Sequence, residues 1–464
     1  MYRQYPSVGE RDRLRHAAPI DVSAIRLAPR EAYSRLGEGS NPGGARLTMI
    51  AGRPAYTFET GRRVAIVYAD NGAVQDNSQS GFDLRVAADW TGLSPLAAQA
   101  GKLTEGDQWT VSGEFRPLEP IWKYTWPDGE QVYVSTVTGD VVQYTTRGSR
   151  TAAYFGAIPH WLYFTPLRKH GHVWSRIVIW LSALAAFTAF AGIVIGLVVY
   201  SPRRSYLHWG ASSGIPYFGT KRLHMILGLS FGAIACTWAF SGMLSMDPFP
   251  KVQGSFDQSG EDVAQALRGD GVAVAAFDER PPRIAAQALE PAFHAKEFEL
   301  ASFAGQPVYV AKNATNDVRI VSLDGQVARE FDYRRILDVV EKTSQPARIT
   351  EARIVTKYEA YYLDRHGRLP LPAIYVRLDD SKTSSYYIDP KTALVIESYN
   401  SHSRWNRWLY HGLHSIDFPW LYAHRPAWDM LVLALMTGGI VLVTTALLLA
   451  IRAVRRAVSS DGPT

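Results

Sequence analysis

Histidines close to three apolar segments are the residues of this sequence best suited to chemistry. His224 lies at the start of the middle apolar segment, whereas four others lie just outside the first and third segments: His160, His172, His411 and His414. A polar imidazole inside an apolar segment is costly and is usually functional. Imidazole nitrogens bind transition metals and the iron of haem, so these positions indicate metal or haem chemistry.

Helix geometry decides which of these histidines could share one metal. His224 and Met246, at the two ends of the middle segment, are 22 residues apart, or about 33 Å along a helix. His224 would therefore lie near one membrane face, and His160, His411 and His414 near the other. His411 and His414 are spaced i, i+3, so they share one face if that segment is helical.

Two imidazoles facing each other across a helical bundle suit a low-spin b-type haem, which takes one axial nitrogen from each side. We expect an outer haem held by His160 together with His411 or His414. An inner haem would be held by His224. The sequence has no CxxCH motif for covalent haem attachment, and its single cysteine, Cys236, excludes an intramolecular disulfide and a cysteine-ligated metal cluster.

Other roles stay open for several of these groups. His172, beside the first apolar segment, could be an interfacial residue that anchors a helix end. The GxxxG pairs that begin at Gly192 and Gly228 allow close helix approach, or could make room for a flat macrocycle. Basic residues beside the outer histidines could pair with haem propionates or extend to the lipid head groups: Arg168, Lys169, Arg404, Arg407 and Arg425.

Three uncharged segments of at least 22 residues position the histidines: 177–200, 223–246 and 430–451. Each is long enough to cross a hydrocarbon core about 30 Å thick. Basic residues follow the first and third segments, which places both of those ends in the cytoplasm by the positive-inside rule. These residues account for the net charge of +6 without a nucleic-acid partner.

The sequence also repeats itself once. Leu47–Tyr56 aligns with Leu300–Tyr309 at an offset of 253, and 132–142 aligns with 386–396 at an offset of 254. Each half is therefore predicted to contain an outer domain, an aromatic segment and a spanning helix.

A spanning helix is expected before the second outer domain but has no counterpart before the first. The chain opens with residues that match only the tail of such a helix. We therefore expect the complete protein to have four spans and this chain to start just after the first. That first span would supply the second ligand of the inner haem.

Alternating strands bounded by turn signals predict α+β outer domains, in which small antiparallel sheets each pack one helix on a face. Predicted helices include Pro29–Leu36 and Asp262–Leu267. Neither a glycine-rich phosphate loop nor a GxSxG or HExxH motif occurs. The outer domains are therefore predicted to be binding or scaffolding modules.

Several segments resemble a known family. The strand pairs around AGRPAYTF and VYVSTVTGDVV resemble PepSY domains, and RWNRWLYHGLHSIDFP resembles the PepSY-associated transmembrane family, as does the middle apolar segment. The resemblance covers essentially the whole chain, and HGLHSIDF and SGMLSM are its most specific parts. It implies a multi-pass protein of the bacterial inner membrane, with its large domains in the periplasm and its C-terminus in the cytoplasm.

The predicted fold class is thus α+β PepSY-like domains combined with an α-helical membrane bundle. PepSY-like domains are expected at 1–155 and 247–400, and interfacial aromatic segments at 156–176 and 401–428. The remaining divisions are spanning helices at 177–200, 223–246 and 429–451, a cytoplasmic loop at 201–222 and a cytoplasmic tail at 452–464.

The family that the chain resembles includes iron-regulated membrane proteins and haem-containing ferric-siderophore reductases. The resemblance therefore implies a haem b oxidoreductase that passes electrons from an unidentified donor to a ferric siderophore or another iron chelate. Outer-sphere electron transfer needs no general base or nucleophile, because the cofactor carries the chemistry. Two alternatives stay open: a non-enzymatic PepSY regulator that binds a protease or envelope protein, and an accessory component of siderophore transport.

Overall fold

The computed structural model describes residues 5–61, 63–76, 81–103, 105–204, 206–208, 211–246, 248, 258–364 and 366–460. These residues form two compact units. The sheet unit comprises Met1–Gly171, Asp257–Lys357 and Asp364–Ser398, and the helical unit comprises His172–Phe256, Tyr358–Leu363 and Tyr399–Thr464.

The strands fall into two series along the chain, separated by a short hairpin. The first series is β1 Ala45–Ile50, β2 Arg53–Thr60, β3 Arg63–Tyr68, β4 Val74–Gln75, β5 Gln99–Leu103, β6 Ile121–Thr125, β7 Gln131–Ser135 and β8 Val141–Thr145. The hairpin consists of β9 Tyr206–His208 and β10 Ala211–Ser213. The second series is β11 Glu297–Phe303, β12 Gln306–Ala314, β13 Asp317–Ser322, β14 Val327–Ala328, β15 Ile349–Val355, β16 Ala373–Leu378, β17 Ser385–Ile388 and β18 Val395–Tyr399.

Most helices are short, and three are long. The helices are α1 Glu10–His16, α2 Pro29–Ser34, α3 Phe82–Thr91, α4 Arg147–Phe155, α5 Ala157–Trp161, α6 Thr165–Arg168, α7 Gly171–Val199, α8 Gly219–Leu244, α9 Gln258–Arg268, α10 Pro282–Gln287, α11 Tyr333–Thr343, α12 Ser401–Asn406, α13 Pro419–Tyr422 and α14 Arg425–Ser460, with a π-helix at Arg407–Ser415. Helices α2 and α9 confirm the two short helices expected from sequence.

Strands from both series form one eight-stranded antiparallel sheet, in the order β14-β13-β12-β11-β1-β2-β3-β4. Its halves join where β1 pairs with β11, with Ala45 opposite Leu300 and Thr48 opposite Glu297. This shared sheet differs from the two separate outer domains expected from sequence. The physical reason is that β1 and β11 each begin a meander, so each would be an edge with unpaired backbone groups if the halves stood apart.

One face of the eight-stranded sheet carries an apolar core. Its largest members alternate along the four central strands and are fully buried: Leu47, Tyr56, Phe58, Phe298, Leu300 and Tyr309. Helices α2 and α10 close over them. The hydroxyls of Tyr56 and Tyr309 donate to backbone carbonyls, at 2.8 and 2.7 Å, so burial leaves neither group unsatisfied.

The centre of the opposite face carries a network of charges. Lys312 Nζ lies 2.9 Å from Glu299 and 3.4 Å from Glu297, and it also pairs with Glu10 of α1. Arg13, also in α1, pairs with Glu297. Burial by itself would raise the pKa of Glu297, but Arg13 and Lys312 outweigh it and lower that pKa to about 2.

Helices fill the two flanks of this charged face. Helix α3 packs Phe82 against β2 and β3, and its other apolar side chains meet the four-stranded sheet β5-β6-β7-β8. On the second flank, α9 and α11 lie between β11–β13 and the four-stranded sheet β15-β16-β17-β18. Each flank is therefore a sheet–helix–sheet sandwich.

The helical unit contains three helices long and apolar enough to cross a membrane, α7, α8 and α14. This confirms the three apolar spans expected from sequence. A Cβ atom added at Gly232 of α8 would lie 3.0 Å from Ile193, and one added at Gly196 of α7 would lie 3.1 Å from Leu229. At these two positions glycine serves close packing between α7 and α8.

We expect Glu297→Gln to destabilise the protein near neutral pH by about 3 kcal/mol, because Arg13 and Lys312 lose a buried counter-charge. A carboxyl with a lowered pKa stabilises the fold above its unfolded pKa, and that stabilisation is lost as the pH falls through its folded pKa. The destabilisation caused by Glu297→Gln should therefore become smaller as the pH falls from 4.5 to about 2. Thermal unfolding midpoints measured across this range test the prediction, with the exposed pair variant Glu351→Gln as control.

A second prediction concerns the contact between α8 and α14. A Cβ atom at Gly438 would overlap the ring of Phe231, whereas one at Gly439 would meet no atom within 4 Å. Gly438→Ala should therefore lower the free energy of unfolding by about 1–3 kcal/mol more than Gly439→Ala does. Gly439→Ala is the matched control because it adds the same methyl group to the same helix. Thermal unfolding in detergent compares the two variants, and equal midpoints would contradict the packing described here.

Candidate functional site

His414 meets the middle apolar helix through a hydrogen bond. It lies in the π-helix Arg407–Ser415, and its Nδ1 is 3.0 Å from the hydroxyl of Ser241 in α8. Ser241 is fully buried, and the ring of Tyr410 stacks on His414 with centroids 5.4 Å apart. Segments of π-helix occur frequently at functional sites.

The hydroxyl of Ser241 also has acceptors on its own helix. It lies 2.7 Å from the carbonyl of Thr237 and 3.2 Å from the carbonyl of Trp238. While its one proton is donated to a helix carbonyl, the hydroxyl accepts from His414, and Nδ1 is then the protonated nitrogen.

His224 has the same arrangement near the other end of α8. Its Nδ1 lies 2.9 Å from the hydroxyl of Thr445 in α14, and that hydroxyl donates to the carbonyl of Leu442 at 2.8 Å. Thr445 is buried, so both partners of its hydroxyl lie within the protein. While its proton is donated to its own helix, His224 is likewise the donor through Nδ1.

These two arrangements lie at different depths of the membrane helices. His224 and Ser241 are 17 residues apart in one continuous helix, or about 25 Å along its axis. The two imidazoles therefore cannot bind the same metal ion. They form two separate candidate sites, in agreement with the spacing argument from sequence.

A donor without a partner lies one turn before Ser241 in α8. The indole Nε1 of Trp238 is buried and has no hydrogen-bond partner among the described residues. Trp238, Ser241 and Gly242 are spaced i, i+3 and i+4, so they share one face of α8. A Cβ atom at Gly242 would lie 3.7 Å from the hydroxyl of Ser182 and 4.0 Å from Cε1 of His414, so α7 and the π-helix both pack close to this glycine.

The other predicted histidines lie in different surroundings. His411 is exposed, and so is His172 at the start of α7. A π-helix bonds residue i to i+5, so its turn holds more residues than an α-helical turn and no longer brings positions i and i+3 together. This is why His411 and His414 differ in burial. His160 ends the short helix α5 in the sheet unit, with its side chain exposed.

Arg407 contributes to structure in the helical unit. Its guanidinium is buried, donates to Asp417 Oδ1 at 3.0 Å and lies 4.5 Å from the ring of Trp408. It also donates to the carbonyl of Ala360. These contacts tie both ends of the π-helix to its surroundings, so this arginine already has a full set of partners.

Sequence reasoning missed Ser241, Thr445 and Trp238. The signal for all three was the same, a polar atom inside an uncharged apolar segment, where every such group needs a partner. Among the described residues, no group of three or more His, Cys, Asp and Glu side chains could hold a metal ion.

No protein-family model matches this chain, and neither a curated protein nor a solved structure matches it. The resemblance to PepSY proteins therefore stays a prediction from the sequence.

The tautomer of His414 can be measured directly. We expect the chain labelled with ¹⁵N-histidine to show His414 protonated at Nδ1, and Ser241→Ala to abolish that preference because the acceptor is lost. Solid-state NMR in lipid bilayers distinguishes the two ring nitrogens. Ser245→Ala is the matched control, since Ser245 lies one turn further along and its hydroxyl donates to the carbonyl of Gly242. An Nε2-protonated His414 in the unmodified chain would contradict the assignment.

Proposed function

We propose that this protein is an integral inner-membrane oxidoreductase that binds haem b and passes electrons to a ferric chelate on the periplasmic side. The observation that carries the proposal is the hydrogen bond that each of its two membrane histidines makes with a hydroxyl. Both His224 and His414 have Nδ1 within hydrogen-bond distance of a buried hydroxyl, at 2.9 Å from Thr445 and 3.0 Å from Ser241. Metal-binding histidines almost always donate their second ring N–H in this way.

The surroundings of His414 fit a haem. The buried Nε1 of Trp238 requires an acceptor, and a propionate oxygen has that chemistry. Gly242, which His414 approaches, lies on the same helix face. His414 and His224 would each supply one axial nitrogen, and the haem would supply reversible one-electron transfer. The role of this chain's own residues is to orient each imidazole and fix its tautomer.

Two features of the sheet unit support the predicted repeat and hence the PepSY-like interpretation. In the ladder between β1 and β11, Arg46 lies opposite Glu299, its own equivalent at the repeat offset of 253. Ala45 opposite Leu300 and Leu47 opposite Phe298 are then related by the same two-fold axis. The strand orders β5-β6-β7-β8 and β15-β16-β17-β18 are also equivalent.

The proposed orientation places the sheet unit in the periplasm, where it would meet the iron chelate. It rests on the basic residues that follow α7 and on those at the end of α14, which mark the cytoplasmic ends of these helices. The substrate class and the electron transfer rest on the resemblance of the sequence to ferric-siderophore reductases.

An optical spectrum of the purified protein tests the proposal. We expect haem-supplemented protein in detergent to show, after dithionite reduction, the sharp α band of a b-type cytochrome. His414→Ala should remove one haem signal and His224→Ala another, because the two residues belong to different sites. Stoichiometry is measured by the pyridine haemochrome assay on the same samples.

The matched control is His424→Ala. His424 is an exposed histidine near the start of α14 whose Nδ1 bonds the carbonyl of Trp420 at 2.8 Å. Its removal should leave the spectrum unchanged. A spectrum without haem bands from well-folded, haem-supplemented protein would reject the proposed function. So would full haem content in the His224→Ala and His414→Ala double variant.

A further inference from the structure

A cavity of about 620 Å³ opens at one edge of the eight-stranded sheet. Its walls come from β12, β13 and β14 and from the segment that leads into α11. This volume lies within the range of sites that bind small molecules. The cavity belongs entirely to the sheet unit.

The floor of this edge cavity is apolar. Phe303 and Phe331 pack with ring centroids 4.2 Å apart, and Val308 and Ile320 extend the same surface along the sheet. All four side chains are at least nine-tenths buried, so they belong to the core that supports the floor. The apolar surface accessible to a ligand comes from half-buried residues that line the cavity: Ala276, Pro307 and Leu323.

The rim of the edge cavity is acidic. Four carboxylates line it: Glu279, Asp324, Glu330 and Asp332. None of the four forms an ion pair within the part of the chain that the structure describes. Two cations lie near: Arg335 stacks over the ring of Phe303 at 5.2 Å, and Arg280 donates to the carbonyl of Leu323 at 2.7 Å. The rim therefore keeps a net negative charge.

The contacts of these carboxylates argue against a metal ion. One oxygen of Asp332 accepts the backbone N–H of Arg335 at 2.8 Å, and Asp324 accepts the N–H of Gln326 at 3.2 Å. The four do not converge into a group able to hold a metal among the described residues. An added peptide strand is also disfavoured, because the edge strand β14 is only two residues long.

We propose that this edge cavity binds a small amphipathic organic cation. The apolar body of the ligand packs on the floor, against Ala276, Pro307 and Leu323, and its ammonium or guanidinium group meets the acidic rim. Charge complementarity selects the sign of the ligand, and the apolar floor selects an organic cation over a hydrated inorganic one. The proposal does not depend on haem binding.

Three probes with the same carbon skeleton test the charge selection: phenylbutylamine, phenylbutanol and phenylbutanoate. Their dissociation constants are measured by saturation-transfer NMR with the full chain in lipid nanodiscs, and empty nanodiscs correct for partition into lipid. We expect the amine to bind about fivefold more tightly than the alcohol, and the carboxylate to bind most weakly. The preference for the amine should decrease at high salt.

Two variants locate the binding. Glu279→Gln combined with Glu330→Gln should weaken binding of the amine about fivefold and leave the affinity for the alcohol unchanged. Ala328→Trp, at an exposed edge position that lines the cavity, should abolish binding of all three probes by filling the space. Asp338→Asn is the matched control, because this exposed carboxylate lies on α11 outside the cavity. Equal affinities for the three probes, or binding unaffected by Ala328→Trp, would overturn the proposal.

Discussion

The ladder between β1 and β11 is the interaction on which the sheet unit depends. It joins only four residue pairs, from Ala45 opposite Leu300 to Thr48 opposite Glu297. Both the apolar core on one face and the charged network on the other are built across it. If this ladder opened, Glu297 and Lys312 would keep their strand pairing but lose Arg46 of β1 as a neighbour, and two hydrogen-bonding edges would face solvent.

The charged network and the hydrogen bonds of the membrane histidines satisfy the same physical requirement in different environments. A buried polar group costs free energy unless it is hydrogen-bonded or paired. In the sheet unit the solution is several ion pairs around Glu297 and Lys312. In the apolar helices the solution is a hydrogen bond between an imidazole and a hydroxyl, at 2.9 Å for His224 and 3.0 Å for His414.

The local features of the fold could be predicted from sequence because neighbouring residues determine them. Apolar length alone indicates α7, α8 and α14, and Pro29 begins α2 where a helix start was expected. The histidine within α8 could be found in the same way. The joining of both strand series into one sheet could not, since it depends on pairing between residues some 250 positions apart.

The hydrogen-bond partners of the histidines could not be predicted from sequence for a similar reason. Thr445 is 221 residues from His224, and Ser241 is 173 residues from His414. The periodicity of the segment that contains a histidine does not indicate which hydroxyl of another segment will face that histidine. The π-helix around His414 could not be predicted either, because the spacing of apolar residues does not distinguish i+5 hydrogen bonds from those of an α-helix.

The positions of His224 and Ser241 on one helix have a consequence for any charge that moves between them. They lie 17 residues apart in α8, or about 25 Å along its axis. This distance is most of the thickness of a hydrocarbon core of about 30 Å. The membrane voltage would therefore act on such a charge, with up to about 2.3 kcal/mol per elementary charge for each 100 mV.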